Sequence, residues 1–188
     1  MEQGRARIEE APAELPLEAV RRILSERAQA LAKPLEEART PTEMLELLVF
    51  SLAGERYGIE ATRVLEVVPL RGLTPMPCTP SFVLGVVNHR GRVVPVLDVR
   101  RLLDLPGEGV AEGWRMVAVE AGGMTFGIIA EAVIEISRVG VEEVAPSPAS
   151  LTARRQAFLR GVTKEMVAVL EVEALARDPR ITVNEEIG

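Results

Sequence analysis

The spacing of apolar residues predicts one amphipathic helix near the start of the chain. Apolar side chains recur every three or four positions, as on one face of a helix. Pro16 can occupy the first helical position and Pro34 should end the helix, so we expect it over about residues 16–33. The helix either packs on its own domain or binds a partner. Its apolar stripe consists of Leu17, Val20, Ile23, Leu24, Ala28 and Leu31.

After Pro41 the pattern changes to short apolar runs separated by turn residues, which is typical of β-strands. Tight turns are expected at Ala53-Gly54 and Gly122-Gly123, and Asp98 can cap a short helix through Leu103. A last helical turn is expected near Leu175. Many short strands joined by turns predict a sandwich or barrel. The predicted strands cover residues 48–52, 57–59, 64–68, 84–87, 93–97, 115–119, 124–129, 133–136, 158–162 and 166–170.

The second half of this β region repeats the first. The separation between matching residues is 69 at the first turns, becomes 76 at Gly85 and falls to 73 at Leu97. The repeat predicts two small barrels of like topology, each with about five strands. The matching pairs include Gly54/Gly123, Tyr57/Phe126, Gly58/Gly127, Val64/Val133, Glu66/Glu135, Gly85/Gly161 and Leu97/Leu170.

One hairpin differs between the two halves. The fall in separation from 76 to 73 makes the hairpin after Gly85 three residues longer than its equivalent after Gly161. The extra length falls at the tip, Asn88-His89-Arg90-Gly91. A shorter turn would be enough to close the hairpin, so the tip could contact another molecule. The alternative is an ordinary exposed Asn/Gly turn.

Composition narrows the class of protein. The 188-residue chain has a net charge of −6, which argues against binding to a nucleic-acid backbone. Only 3% of its residues are aromatic, too few for base-stacking platforms. No apolar run approaches the roughly 18 residues of a membrane span. A single cysteine, Cys78, cannot form an internal disulfide and fits a reducing compartment, so we expect a cytoplasmic protein.

Side chains for catalysis are few. One histidine and one cysteine cannot build a multi-His or Cys-rich metal site, and no phosphate-binding loop is present. A nucleophilic pair of Cys78 and His89 is conceivable, but a lone cysteine is usually a buried apolar residue. We therefore expect no enzyme activity, no catalytic residue, no cofactor and no metal. A small-ligand sensor or enzyme is kept as the third hypothesis.

A series of motifs between residues 50 and 98 resembles CheW-like chemotaxis coupling domains, and the resemblance covers about residues 45–178. The chain departs from the family at Ala130-Glu131, where Val-Asp is usual, and at His89, where Leu is usual. The motifs are Phe50-x-Leu52, Tyr57-Gly58-Ile59, Val64-x-Glu66-Val67, Pro77-x-x-Pro80, Gly85-Val86-Val87-Asn88-x-Arg90-Gly91 and Val94-Pro95-Val96-x-Asp98.

The resemblance implies a mainly β fold, with two five-stranded SH3-like barrels in one CheW-like domain and an N-terminal amphipathic helix. Residues 1–42 would form an N-terminal extension, residues 45–178 the CheW-like domain and residues 179–188 a tail. It also implies a non-enzymatic adaptor that couples chemoreceptors to a CheA-type histidine kinase. In this family the cytoplasmic tip of the receptor docks in the groove between the barrels, and the kinase regulatory domain makes barrel-to-barrel contacts.

By position, the receptor-binding residues implied by the resemblance are Val64, Glu66, Gly85, Asn88, Arg90 and Gly91. The guanidinium of Arg90 suits a carboxylate or carbonyl cluster on a helical tip. Glu66 has a structural alternative, in which it pairs with an arginine. Gly85 is expected mainly to let two strands approach closely, because Gly161 repeats it. His89 is expected to be exposed at the tip.

A second hypothesis keeps the scaffold but changes the pathway. The chain could serve another chemosensory output, such as surface pili, and its N-terminal helix could recruit a dedicated partner. In either case the protein would be recruited to membrane receptor arrays. The identities of the receptor and the kinase do not follow from the sequence.

Overall fold

A computed structural model describes residues 15–31 and 43–181 of the chain. Within these residues the protein is mainly β, with ten strands and four α-helices. No described helix is long and apolar enough to cross a membrane. In chain order the elements are α1 (Leu17–Leu31), β1 (Met44–Leu52), β2 (Glu55–Glu60), β3 (Val64–Pro69), β4 (Val83–His89), β5 (Arg92–Leu97), α2 (Val99–Leu102), β6 (Arg115–Ala121), β7 (Met124–Ala130), β8 (Ala132–Gly140), α3 (Ala153–Phe158), β9 (Leu159–Val162), β10 (Val167–Leu170) and α4 (Val172–Ala176).

The predicted elements are present, with one exception at residue 158. There a strand was expected to begin, but 153–158 form the short helix α3 and the strand starts at Leu159. Thr152 caps this helix by accepting a hydrogen bond from the Arg155 N–H at 3.3 Å. Six residues are too few for a helical period to show in the sequence. Pro34, the predicted end of α1, lies outside the described residues.

The strands form two five-stranded sheets, as the repeat predicted, but each sheet combines strands from both halves of the chain. The β1 sheet has the order β8-β1-β2-β10-β9 and the β3 sheet the order β3-β6-β7-β5-β4. The first two strands of each half therefore pair with the last three strands of the other half. The two sheets have the same order of equivalent strands, so the topology is alike.

The two sheets are also closed in the same register. Each sheet has one parallel ladder among the described strands, β2 with β10 in the β1 sheet and β5 with β7 in the β3 sheet. The two ladders are equivalent, because β7 repeats β2 and β10 repeats β5. Gly58 lies opposite Val169 in the first ladder, and Gly127 lies opposite Val96 in the second. These pairs match the separations of 69 and 73 residues that the sequence repeat contains.

A single apolar cluster joins the two sheets. It includes Phe50 and Tyr57 from the β1 sheet and Phe126 and Ile128 from the β3 sheet, each at most 2% exposed. The two sheets consequently share buried side chains as well as exchanging strands. Separating the sheets would expose this shared cluster to water and cost the free energy gained by its burial. The β1 sheet also has a smaller apolar cluster of its own, with Leu47 and Val169 fully buried.

Asp98 organises the connection after β5, as its predicted capping role requires. Its Oδ1 accepts the Arg100 N–H at 3.0 Å, and the Arg100 guanidinium donates to both carboxylate oxygens at 2.9 Å. The guanidinium also donates to the Gly109 carbonyl and lies 4.7 Å from the ring centre of Trp114. Both charged side chains are buried, and a buried charge is tolerated when it is paired and hydrogen-bonded in this way.

Gly85 and Gly161 occupy equivalent crowded positions. A Cβ atom on Gly85 would lie 2.2 Å from the Thr74 carbonyl oxygen, and one on Gly161 would lie 2.3 Å from the Ala145 carbonyl oxygen. These carbonyls belong to isolated bridges that each join a connecting segment to a hairpin. The prediction that Gly85 lets two segments approach closely is therefore confirmed.

We expect Gly85→Ala to lower the free energy of unfolding by about 3 kcal/mol or more, because steric overlap adds to the strain of a positive φ. For a chain of this size that corresponds to a fall in Tm of about 6–12 °C, measured by thermal denaturation. The control is Gly54→Ala, where φ is also positive but no atom lies within 4 Å of the added Cβ, and which should cost about 1 kcal/mol. Equal losses in the two variants would show that crowding at Gly85 is unimportant.

Candidate protein-interaction site at the β4–β5 hairpin

The β4–β5 hairpin ends in a two-residue turn at Arg90-Gly91. Both residues have positive φ, 53° and 78°, which is the pattern of a type I′ turn. The Asn88 Oδ1 accepts the Gly91 N–H at 3.0 Å and supports the turn. The Ala53-Gly54 turn has the same backbone, with φ of 53° and 75°, so the turn itself does not require an arginine.

The hairpin extends beyond its repeat equivalent, as predicted. Its ladder runs from Val83 opposite Leu97 to His89 opposite Arg92. The equivalent β9–β10 ladder ends at Val162 opposite Ala168. The longer ladder raises the Arg90-Gly91 turn away from the body of the β3 sheet, where its side chains are accessible.

The Glu66 carboxylate is the partner of the basic side chains at the hairpin tip. Its Oε2 accepts hydrogen bonds from Nε and Nη2 of Arg90 at 3.0 and 2.8 Å, and Nε2 of His89 lies 3.3 Å from the same oxygen. The other oxygen, Oε1, lies 3.0 Å from Nη2 of Arg21 on α1. The Glu66 side chain is only 11% exposed, whereas that of Arg90 is 76% exposed. Glu66 therefore does pair with arginine, and it accepts two hydrogen bonds from a guanidinium that remains largely exposed.

A β-bulge in β3 places Glu66 in this position. Val64 pairs with Val119 and Glu66 pairs with Ala118, which leaves Leu65 without a partner in the ladder. The equivalent strand β8 shows the same irregularity, yet Glu135, the repeat partner of Glu66, is exposed. The two halves thus share the backbone feature, but only the β3 sheet covers the carboxylate.

The six predicted site residues fall into two groups. Asn88, Arg90 and Gly91 are exposed at the tip. Val64 is 8% exposed, Glu66 is 9% exposed and Gly85 is buried. The structure brings Glu66 to Arg90 and Asn88 to Gly91, whereas Gly85 lies against Thr74 and Val64 is buried on β3, so only the first group is directly accessible in this conformation.

Two expectations about single residues were wrong. The His89 side chain is 16% exposed and lies against Glu66, because its position on the last rung of β4 directs it toward the sheet instead of into solvent. Cys78 is exposed instead of buried, because it lies in the proline-rich connection between β3 and β4. His89 therefore contacts a carboxylate, and the conceived nucleophilic pair with Cys78 has no support in this arrangement.

Apolar side chains beside the tip were missed by the sequence analysis. Leu65 is 50% exposed and Val93 is 72% exposed. A cavity of about 310 Å³ next to them is lined by Leu65, Glu66, His89, Arg90, Arg92, Val94 and Thr125. The signal in the sequence was Val93, an apolar residue beside the turn where hairpins usually carry polar side chains. The region combines apolar area with a fixed arginine, which is the composition of a protein-binding surface.

The helix α1 lies against this region. Val20 is fully buried, and Leu15, Leu17 and Leu24 pack on the main apolar cluster. Ala28, which the predicted stripe placed on the packed face, is exposed. The first turns of α1 therefore dock on the barrels, and of the two alternatives for this helix the structure shows packing on its own domain.

A larger cavity lies elsewhere, on the β1 sheet. It has a volume of about 770 Å³ and is an open, mainly apolar groove between β2, β10 and residues 145–151. Burial raises the pKa of the Tyr57 hydroxyl beside it, and a hydrogen bond to Glu55 raises it further, so the hydroxyl stays protonated. No histidine or cysteine lines this groove. Among the residues that the structure describes, no three His, Cys, Asp or Glu side chains are arranged to hold a metal ion.

Comparison with known proteins agrees with this geometry. Residues 46–180 match the model of the CheW-like domain family. The chain is 36% identical over 103 residues to protein FrzA of Myxococcus xanthus, covering 55% of this chain and 64% of that protein. It is 29% identical over 138 residues to the chemotaxis protein CheW of Helicobacter pylori, covering 72% of this chain and 83% of that one.

A solved structure confirms the fold. The crystal structure of the scaffolding protein TtCheW from Thermoanaerobacter tengcongensis superposes with a TM-score of 0.66 at 30% identity. The match covers 76% of this chain and 93% of that protein, which confirms the predicted pair of five-stranded SH3-like barrels. With the family model matched over residues 46–180, the chain belongs to the CheW-like domain family.

Proposed function

We propose that this protein is a non-enzymatic scaffold that couples chemoreceptors to a CheA-type histidine kinase in chemotaxis-like signal transduction. The observation that carries the proposal is the β4–β5 tip, where a CheW-like domain presents an exposed Arg90 that is hydrogen-bonded to Glu66. The proposed site of action is the cytoplasmic side of membrane receptor arrays. A division into an N-terminal extension (1–42), a coupling domain (45–178) and a tail (179–188) is part of the proposal.

The proposed receptor ligand is the helical hairpin at the cytoplasmic tip of a chemoreceptor. Two donor atoms of Arg90, Nε and Nη2, point at Glu66, and the remaining guanidinium N–H groups face solvent on a largely exposed side chain. These donors suit a carboxylate or a helix-terminal carbonyl. Leu65 and Val93 provide the neighbouring apolar area on which a helix can pack.

The remaining receptor-site residues act through the shape of the hairpin. Asn88 and Gly91 support the turn that aims Arg90, and Gly85 anchors β4 to the preceding connection. Val64 is buried and packs β3 on the main apolar cluster. The proposed kinase contact is between barrels and involves the kinase regulatory domain. A related scaffold role in another chemosensory pathway would use the same surfaces with a different receptor and kinase.

The proposal is tested by reconstituting the full chain with the receptor and kinase of its source organism. We expect receptor control of kinase autophosphorylation to require this protein, because a scaffold brings the two partners together without chemistry of its own. Kinase activity is measured by phosphate transfer from labelled ATP over a range of receptor densities. A kinase that responds equally well without the protein at every receptor density would reject the function.

The Arg90→Glu variant tests the site. Reversing the charge should weaken binding to a receptor-tip fragment by about 1–3 kcal/mol, or roughly 5- to 150-fold in Kd, as expected for a charge-assisted contact at an interface. The fold should persist, because Arg90 lies outside the core. Binding is measured by titration calorimetry, and folding by circular dichroism.

The matched control is Arg177→Glu, which makes the same charge change at an exposed residue after α4. It should leave receptor affinity unchanged. If Arg90→Glu binds the receptor fragment as tightly as this control does, Arg90 is not part of the site. The scaffold function would then still be tested by the reconstitution assay.

A further inference from the structure

We propose that α1 is an internal occupant of the receptor-facing surface, and that receptor binding displaces it. The inference rests on the proposed function, because it concerns regulation of the same site. It goes beyond that function by assigning a role to a helix that precedes the matched family region, which begins at residue 46.

The first observation is that residues expected to face a receptor are already covered. The Glu66 side chain is 11% exposed and Val64 is 8% exposed, although both lie on β3 near the accessible tip. The helix α1 packs on β3, and its fully buried Val20 belongs to the same apolar cluster as Val64. Arg21, the next residue, places its guanidinium on Glu66. One turn of α1 thus provides an apolar and a basic contact to this strand.

The second observation is that α1 spans the two sheets. Near its start, the Leu15 N–H donates to the Val133 carbonyl on β8 at 3.2 Å. Near its end, Nη1 of Arg27 lies 3.0 Å from Glu46 on β1. Between them, Arg21 reaches Glu66 on β3. The helix therefore contacts both barrels, as a receptor helix lying in the groove between them would.

The third observation is that the docking of α1 is shallow. Among the stripe residues with described side chains, only Val20 is fully buried, and Ala28 is exposed. The Arg21 side chain is 50% exposed, and an ion pair as open to water as this contributes little. Segments with few buried contacts open at low free-energy cost. The contacts of α1 are thus sufficient to hold it in place and weak enough for a competing helix to replace it.

The contacts of α1 also indicate the chemistry of its competitor. Glu66 loses one of its cationic partners when Arg21 leaves, and the part of β3 on which α1 packs loses its cover. An amphipathic helix that carries a basic side chain next to its apolar stripe restores both contacts. The proposed competitor is therefore a receptor helix with this pattern at the position where it crosses β3.

The test uses two variants of the full chain, Val20→Asp and Arg21→Glu, and a receptor-tip fragment as the probe. Val20→Asp disrupts the buried apolar contact of α1, and Arg21→Glu replaces an ion pair with repulsion between two carboxylates at Glu66, so the fraction of molecules with an open surface should rise and the apparent Kd should fall by about three- to tenfold. The matched control is Arg22→Glu, the same charge change on an exposed residue of α1, whose affinity should equal that of the unchanged protein. Circular dichroism confirms folding of each variant, and Arg21→Glu alters no buried apolar contact.

Hydrogen exchange gives a second readout on the unchanged protein. Binding of the receptor fragment should speed amide exchange in residues 17–31, because the displaced helix loses its packing. Slower exchange there, or unchanged or weaker affinity in both variants, would overturn the inference and leave the scaffold function standing. Absence of receptor binding by the unchanged protein and by every variant would overturn the receptor part of the proposed function and this inference together.

Discussion

The exchange of strands between the two halves of the repeat is the constraint on which the rest of this structure depends. The first two strands of each half complete the sheet that contains the last three strands of the other half. A shared apolar cluster with Phe50 and Phe126 in its interior then joins the two sheets. The relative placement of the barrels is therefore held by the chain crossing between the sheets and by the burial of this cluster.

Contacts within the first half of the chain hold the β4–β5 hairpin at both ends. The close backbone approach at Gly85 holds β4 against the connection that precedes it. The buried pair of Asp98 and Arg100 holds the segment that follows β5. Both ends of the hairpin are anchored in this way, and its tip projects beyond the sheet. A guanidinium at such a tip keeps its position without a covering layer, which suits recognition of another protein.

Glu66 links the tip to the rest of the molecule. Its carboxylate contacts Arg90 on the hairpin and Arg21 on α1. Movement of α1 away from β3 would therefore remove one positive charge from the carboxylate that pairs with Arg90. Glu135, at the same place in the repeat, is exposed. The two barrels have therefore diverged in side-chain environment while keeping the same backbone plan, and only one of them carries the proposed receptor site.

The sequence by itself determined the number and kind of strands, the turns at Ala53-Gly54 and Gly122-Gly123, and the cap at Asp98, because these depend on residues close together in the chain. The repeat also revealed two modules of like topology and a longer hairpin in the first. Arg90 and Gly91 could be placed at the tip because their motif is local.

Only the tertiary structure decided which strands belong to which sheet, because pairing between distant strands leaves no trace in the local pattern. The partial burial of His89, the exposure of Ala28 and the contact between Arg21 and Glu66 were undetermined for the same reason. Each depends on what a second element places, or does not place, against the residue. Glu66 is 23 residues away along the chain from His89 and 45 residues away from Arg21.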